Sequence, residues 1–363
     1  MNIGIPKERR AFEYRVGLFP AGVKMLTQLG HTCYVEHDAG LGAGFSDQEY
    51  IQSGAKIAYT PHEVFGRADL LLKVARPTME ELEWLQPESA LAGLLHLGSA
   101  RQDKIEKLIE KEITAISYEL ITLPDGTVPI RKPLSQIGGI LAAQIGAMLL
   151  QNNEGGKGIL IGGMPGVPPA EVVIIGAGIA GTCAARAFVG MGAHVTVLDT
   201  NINALEVIHD AMPCVVTMVS NQVNLERACA YADIVVGAIL VHGEHPPIVV
   251  TRDMVRAMKP RSVVMDISID EGGCVETSRP MTNEKPTFIE EGVIHYCVPN
   301  MPSVVARTST YAFLNAALPF IMELVTKGVD QAIAENTSIE SGVSTYQGRV
   351  RHLSSLSPLA QAE

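Results

Sequence analysis

Val172-Val173-Ile174-Ile175-Gly176-Ala177-Gly178-Ile179-Ala180-Gly181 is the stretch that decides the fold. It reads as an apolar strand running into a glycine turn, with a helix following over Ala180 to Val189. A second strand, His194-Val195-Thr196-Val197-Leu198, ends at Asp199. Strand, GxGxxG turn, helix, strand and terminal acid together form a dinucleotide fingerprint in its full context. Gly176 permits the tight turn, Gly178 lets backbone approach a pyrophosphate, and Gly181 lets helix and strand pack closely. The helix N-terminus offers N–H groups and partial positive charge to the phosphates. Asp199 stands where a carboxylate accepts hydrogen bonds from the adenosine ribose. It would repel a 2′-phosphate, so NAD is expected rather than NADP.

The rest of the composition narrows the class. A chain of 363 residues has room for two domains, and 47% hydrophobic against 18% charged residues describes a cored globular protein. A net charge of −11 argues against nucleic acid or an anionic membrane as partner. The one dense basic cluster, Lys7 with Arg9 and Arg10, is offset by Glu8 and Glu13. Met1 to Pro6 has neither the basic start nor the apolar run of a signal peptide, so none is expected. No apolar run reads as a membrane span; the longest candidate is broken by the glycine turn and carries Arg186. The six cysteines are scattered without a CxxC pair, which predicts buried, reduced thiols in a cytoplasmic protein. No HxxxH or HExxH pair occurs among the ten histidines, and no metal is expected.

Outward from the fingerprint, the first ~130 residues alternate strand and helix, as in a parallel sheet. Strands are expected at Asn2-Ile5, Thr32-Glu36, Ile57-Ala58, Ala68-Val74, Ala90-His96 and Ile113-Tyr118. Helices are expected at Ala21-Leu29, Ser46-Ser53 and Gln102-Lys111. Ser46 caps its helix, and Thr60 caps a short one opening at Pro61. Apolar residues at helical spacing over Ser135 to Gln151 predict a connecting helix with Ser135 as its cap. Beyond a loop over Gly155 to Pro169 comes the fingerprint, then strands at Cys214-Met218, Ile234-Ala238, Val263-Ile267 and His295-Val298. An apolar helix over Ser309 to Lys327 has room to pack back on the first domain. The polar tail from Thr337 is expected to be partly disordered. No repeat of solenoid period is present. The expected architecture is α/β: two Rossmann-like domains with a cleft between them. The NAD-binding domain, 131–306, is inserted into a discontinuous substrate domain formed by 1–130 and 307–363.

Ligands of open α/β sheets gather outside the carboxyl ends of the strands. Four ionisable residues fall there: Arg15 after the first strand, Lys73, His96 and Asp270. Each also has a structural reading. Lys73 suits an edge charge, His96 a satisfied core histidine, Asp270 a loop carboxylate at its glycine turn, and Arg15 a surface residue. Taken together, three basic groups of one domain facing an acid of the other suit a small amino or keto acid held against a nicotinamide, in the cleft.

Further motifs carry a resemblance over nearly the whole chain. They are Gly4-Ile5-Pro6-Lys7-Glu8 with Arg15-Val16, Leu71-Leu72-Lys73-Val74, Leu95-His96-Leu97, Gly162-Gly163-Met164-Pro165-Gly166-Val167, and Asp266-Ile267-Ser268-Ile269-Asp270-Glu271-Gly272-Gly273-Cys274. Ser278-Arg279-Pro280, Tyr296-Cys297-Val298, Asn300-Met301-Pro302 and Thr308-Ser309-Thr310-Tyr311 complete the set. In these the chain resembles the alanine dehydrogenase/transhydrogenase family. The resemblance implies reversible conversion of L-alanine, water and NAD⁺ to pyruvate, ammonium and NADH, in a homo-oligomer, commonly a hexamer. It implies Arg15 and Lys73 as substrate holders, and His96 and Asp270 as the proton-handling pair. Ser135, Asp199, Ser220, Ile239, Leu240, Ile267, Asp270, Arg279, Val298, Asn300 and Met301 would join the three glycines around the dinucleotide. The chemistry agrees with those roles: Arg15 offers a fork for a carboxylate, Lys73 a donor for a keto oxygen, and His96 an imidazole that can pass protons to and from the carbinolamine oxygen.

The chain also departs from the family's pattern. Arg131 and Lys132 precede Pro133-Leu134-Ser135 where uncharged residues are usual, and two extra cations favour a substrate with a second carboxylate unless both face solvent. Gln136 replaces a frequent Glu, Ala204 a basic residue, and Val305-Ala306 a Val-Pro pair. Two alternatives stand beside alanine: another small amino acid as substrate, or a non-catalytic NAD(H)-binding subunit of a transhydrogenase.

Overall fold

The computed structural model describes residues 1–241 and 245–353. Two compact units emerge, one formed by 1–134 with 303–363 and the other by 135–302.

In the first unit, strands β1 (Asn2–Ile5), β2 (Thr32–Glu36), β3 (Lys56–Ala58), β4 (Leu70–Ala75), β5 (Ala90–Leu94) and β6 (Thr114–Ser117) pair in parallel, in the order β3-β2-β1-β4-β5-β6. Nearly every residue of β4 and β5 is buried, because helices cover both faces of a parallel sheet. The order reverses between β1 and β4, which makes a crevice at their carboxyl ends. Ser46 caps its helix through a full capping box with Glu49, and Thr60 accepts from the Glu63 N–H ahead of Pro61, both as expected. The helix Ala306–Lys327 buries Phe313, Leu314, Ile321 and Leu324 in the core of this unit. Each contributes ~1.5–3 kcal/mol, which offsets the ~3 kcal/mol that Pro319 costs mid-helix.

In the second unit, β7 (Glu171–Ile175), β8 (His194–Asp199), β9 (Val216–Val219), β10 (Ile234–Gly237), β11 (Val263–Asp266), β12 (Thr287–Glu290) and β13 (Val293–Tyr296) lie in the order β9-β8-β7-β10-β11-β13-β12. All pairs are parallel except β12 with β13. The reversal falls between β7 and β10, at the end of β7 that carries the glycine turn. The two units therefore share one winding order without a sequence repeat.

Several expectations are corrected. Ser135 is not a cap: the helix runs Arg131–Leu149, and Ser135 lies half-buried inside it. Pro133 occupies the third helical position, where its missing N–H costs no bond. The segment after Thr337 is not a loose tail as far as it is described. It forms the helix Thr337–Ser341 and strands β14 (Val343–Tyr346) and β15 (Arg349–Val350). Strand β14 lies antiparallel on β6, with the Ser344 hydroxyl 2.7 Å from that of Ser117 and Thr345 donating to the Ile113 carbonyl at 2.7 Å. Short hydroxyl-rich strands read as polar chain until a partner strand satisfies them. The stretch 354–363 of that expectation lies outside the described residues. The strand expected from Cys214 begins at Val216, which leaves Cys214 exposed in the preceding turn rather than buried as its thiol was expected to be. Among the described residues no single helix is long and apolar enough to cross a membrane.

Candidate active site

The nucleotide end is built by the carboxyl ends of β7, β8, β9 and β10. Gly176 has φ +110°, and a side chain on Gly181 would overlap the Gly176 carbonyl oxygen, so both positions demand glycine. A Cβ on Gly178 would meet nothing within 4 Å. That residue is the N-cap of the helix Ile179–Gly190, which has no side-chain cap of its own. Exposed backbone, open space and an uncapped helix start are what a pyrophosphate requires, so the chain's own residues fit a dinucleotide. Asp199 ends β8 and is already engaged: Oδ2 accepts from the Ala177 N–H at 2.6 Å and Oδ1 from Asn201 N–H at 2.7 Å. It thereby sets the glycine turn, and its oxygens keep lone pairs for further donors. Ser220, at the end of β9, is tied to the Asp199 carbonyl at 2.9 Å.

The segments after β10, β11 and β13 carry the remaining residues of this unit. Ile239 donates its N–H to the Ser268 hydroxyl at 2.9 Å, and Leu240 beside it is exposed. Ile267 is half-buried and donates to the Gly237 carbonyl. Asp270 is exposed in the one-turn helix Ile269–Glu271, and its carboxylate accepts from the Asn300 N–H at 3.0 and 3.2 Å. Asn300 itself has φ +54°. Val298 and Met301 are buried on either side of it. The Arg279 guanidinium lies over the Phe288 ring at 4.1 Å. Sequence reasoning missed the residue that holds the loop after β11, Asp266. Its buried carboxylate accepts from the N–H groups of Ser268, Cys274 and Val275 at 2.9–3.1 Å. Burial pushes its pKa up against those bonds. An acid closing an apolar strand ahead of Gly272-Gly273 was the available signal.

In the first unit, the loop after β1 and the strand β4 meet at the crevice. Arg15 is buried, with Nε and Nη2 on the two Glu13 oxygens at 2.7 and 2.6 Å. Lys73 is not an edge charge; its side chain has no exposure and lies 3.1 Å from Glu8 and 2.7 Å from Glu81. Burial opposes its charge, but the two carboxylates outweigh it and hold Lys73 above the ordinary lysine range. Glu8 is pushed up by burial, against Lys73 and the Val74 N–H. Glu8, Glu13, Tyr14 and Arg15 line one cavity of about 160 Å³. The carboxylates Glu8, Glu13 and Glu81 were not singled out from sequence, since an isolated Glu in a loop or short helix carries no pattern. His96 is exposed, not a core histidine, and stands two residues past β5 with φ +43° and ψ +46°. Lys132 is exposed and Arg131 half-buried at the start of their helix. Elsewhere His37, Asp38 and Asp47 bring three ligand-type atoms together on the surface.

Two doubly wound α/β units, one ending its first strand in a glycine cradle and the other in a buried set of charged groups, define a dinucleotide-dependent oxidoreductase architecture. Residues 4–138 match the alanine dehydrogenase/PNT N-terminal domain and residues 142–353 the alanine dehydrogenase/PNT C-terminal domain. The chain belongs to the alanine dehydrogenase/PNT family. An alanine dehydrogenase of Methanococcus maripaludis is 44% identical over 354 residues, covering 97% of this chain and 95% of that relative. Among solved structures, an L-alanine dehydrogenase superposes with TM-score 0.95 at 39% identity, covering 100% of this chain and 98% of the other. A transhydrogenase from Sinorhizobium meliloti shares the fold, with TM-score 0.84 at 24% identity over 97% of this chain and 100% of that one.

Proposed function

We propose that the chain catalyses the reversible NAD-dependent oxidative deamination of L-alanine to pyruvate and ammonium. The observation that carries this reading is likeness to alanine dehydrogenases along practically the whole chain, with Arg15 in the loop after β1, Lys73 within β4, His96 past β5 and Asp270 past β11. The likeness to a transhydrogenase is one of fold, and no amino-acid-binding groups are needed there.

Gly176, Gly178, Gly181, Asp199 and Ser220 would hold the dinucleotide, with Ser135, Ile239, Leu240, Ile267, Arg279, Val298, Asn300 and Met301 around it. When bound, the nicotinamide supplies the hydride acceptor. Asp199 favours NAD, because its carboxylate would meet a 2′-phosphate. Arg15, its plane fixed by Glu13, binds the substrate carboxylate as a permanent cation. Lys73 holds its ammonium charge between Glu8 and Glu81 and donates to the substrate oxygen. His96 takes the proton from the carbinolamine oxygen as pyruvate forms, and Asp270 orients the water that attacks or the ammonia that leaves. The protein works as a homo-oligomer, a hexamer in this reading, in the cytoplasm.

The test is NADH oxidation by the purified protein with ammonium and pyruvate, then glyoxylate, oxaloacetate and 2-oxoglutarate, each repeated with NADPH. Strong turnover with pyruvate and NADH is expected. Turnover with only a dicarboxylic keto acid would assign Arg131 and Lys132 to a second carboxylate. Tight NADH binding without turnover on any of them would overturn the dehydrogenase reading.

A further inference from the structure

The backbone around His96 is held more tightly than its place in a loop requires. Strand β5 ends at Leu94, and the chain turns through Leu95 and His96 into the one-turn helix Leu97–Ser99. His96 adopts the left-handed conformation, which a residue with a Cβ takes only where its surroundings over-determine it. Leu95 and Leu97 on either side are buried, so the imidazole alone emerges.

Glu119 supplies the constraint. It follows β6, is 8% exposed, and commits both carboxylate oxygens to two consecutive N–H groups: Oε2 accepts from Leu95 at 3.1 Å and Oε1 from His96 at 2.5 Å. On the other side of the same residue, the His96 carbonyl accepts from Arg76 Nη1 at 2.7 Å and from the Ser99 hydroxyl at 3.1 Å. Arg76 is partly buried, and burial with the nearby Arg10 pushes its pKa down to about 10, against the pull of Glu119. An anion on the N–H side and a cation on the carbonyl side thus clamp one residue's backbone. Hydrogen bonds to ionised partners are the strong ones, and a group moving a proton is sensitive to small displacements.

We infer that Glu119 is a positioning residue for proton transfer: by holding the Leu95 and His96 N–H groups it fixes the left-handed turn that aims the His96 imidazole. The inference rests on the alanine dehydrogenase reading, in which His96 handles the proton. Glu119 does not touch the substrate; it acts through His96.

Glu119→Gln is the variant of choice, because an amide keeps one acceptor and turns a donor toward the second N–H. For pyruvate amination its kcat should fall at least ten-fold, while KM for pyruvate and the NADH Kd, read by nucleotide fluorescence, change less than two-fold. Added to His96→Ala, the same substitution should lower residual kcat no further. A kcat within two-fold of the parent, or an equal fall in both backgrounds, overturns the inference. If Glu119→Gln does not fold, Glu119→Asp, one methylene too short to reach both N–H groups, takes its place with the same readings. A second measurement needs no turnover: carbethoxylation of His96 by diethyl pyrocarbonate, followed by mass spectrometry against exposed His62 as internal reference. The His96 rate should change at least three-fold in the variant, and an unchanged rate counts against the inference. Absence of pyruvate turnover in the parent protein would instead strike the functional reading, and the labelling rates would then decide by themselves whether Glu119 holds His96.

Discussion

The Nζ of Lys73 lies 2.7 Å from Oε1 of Glu81, with neither side chain more than 1% exposed. A lysine this deep is stable only because Glu8 shares the same ammonium at 3.1 Å. Removing one partner of such a set leaves the others charged and unpaired, at a cost of ~3–5 kcal/mol. Lys73→Met should therefore lose about that much in urea unfolding, and lose pyruvate turnover as well. Because folding raises the Lys73 pKa above 10.5, its contribution is complete below that value and fades as pH rises through the folded one. A parent protein whose stability stays flat through that alkaline range would contradict the assignment.

His96 stands exposed at the turn after β5, where its ring can exchange protons without being part of the core. His96→Ala is expected to keep NADH affinity and thermal stability and to lose most turnover, about 10²–10⁴-fold for a general acid–base group. Unchanged kcat would remove His96 from the mechanism.

Asp199 anchors the glycine turn through the Ala177 N–H and, in the proposed reading, also reads the ribose. Asp199→Ala should relax the preference for NAD over NADP and weaken both cofactors, since the turn loses its anchor. Steady-state kcat/KM with each cofactor decides: an unaltered ratio means that Asp199 does not read the ribose.

Gly181 packs its Cα against the Gly176 carbonyl, where any Cβ would overlap. Gly181→Ala must push the helix Ile179–Gly190 away from β7, and NADH titration should show at least ten-fold weaker binding. Ala at Gly178, where space is open, should leave the melting temperature within a degree or two, on the order of a surface substitution. Equal effects at the two positions would show that packing is not the reason for Gly181.

Asp233, at the start of β10, accepts from Lys157 Nζ at 2.5 Å, Lys259 Nζ at 3.1 Å and the Glu171 N–H at 2.9 Å. Burial pushes its carboxyl up, but these donors prevail and hold it below 3.8. The stability it contributes is present above about pH 3.8 and is lost as pH falls through the folded value. Asp233→Asn should cost ~1.5–3 kcal/mol at neutral pH and flatten the acid limb of the stability curve. Identical acid limbs in calorimetry would assign that limb to other carboxylates.

The dinucleotide half was legible in the chain because its determinants are local. A tight turn, a close helix and a terminal acid occur within Val172 to Asp199, and each is a property of a residue type at a spacing. Most parallel strands of both sheets were legible for the same reason: a doubly covered parallel strand must be largely apolar, as β5 and β10 are throughout and β4 is but for Lys73. Arg15, His96 and Asp270 could be picked out because chain past a strand's end has no structural duty to the sheet, whereas Lys73 lies inside β4.

What surrounds those four groups was not legible. Glu8, Glu13, Glu81, Glu119 and Asp266 lie in loops, short helices or at a strand's last residue, with no periodic pattern to mark them. Their partners stand at irregular distances along the chain: Glu13 with Arg15, Lys73 with Glu81, Leu95 with Glu119, and Val74 with Glu8, at separations of 2, 8, 24 and 66. Likewise β14 became a strand only by meeting β6. The sequence by itself determined two doubly wound units and a nucleotide turn, because hydrophobic pattern and glycine conformation act over a few residues. Only the tertiary structure decided which carboxylates hold Lys73 and Arg15 and which one clamps His96, because the charge of a buried group is settled by whatever the fold brings within about 3 Å of it.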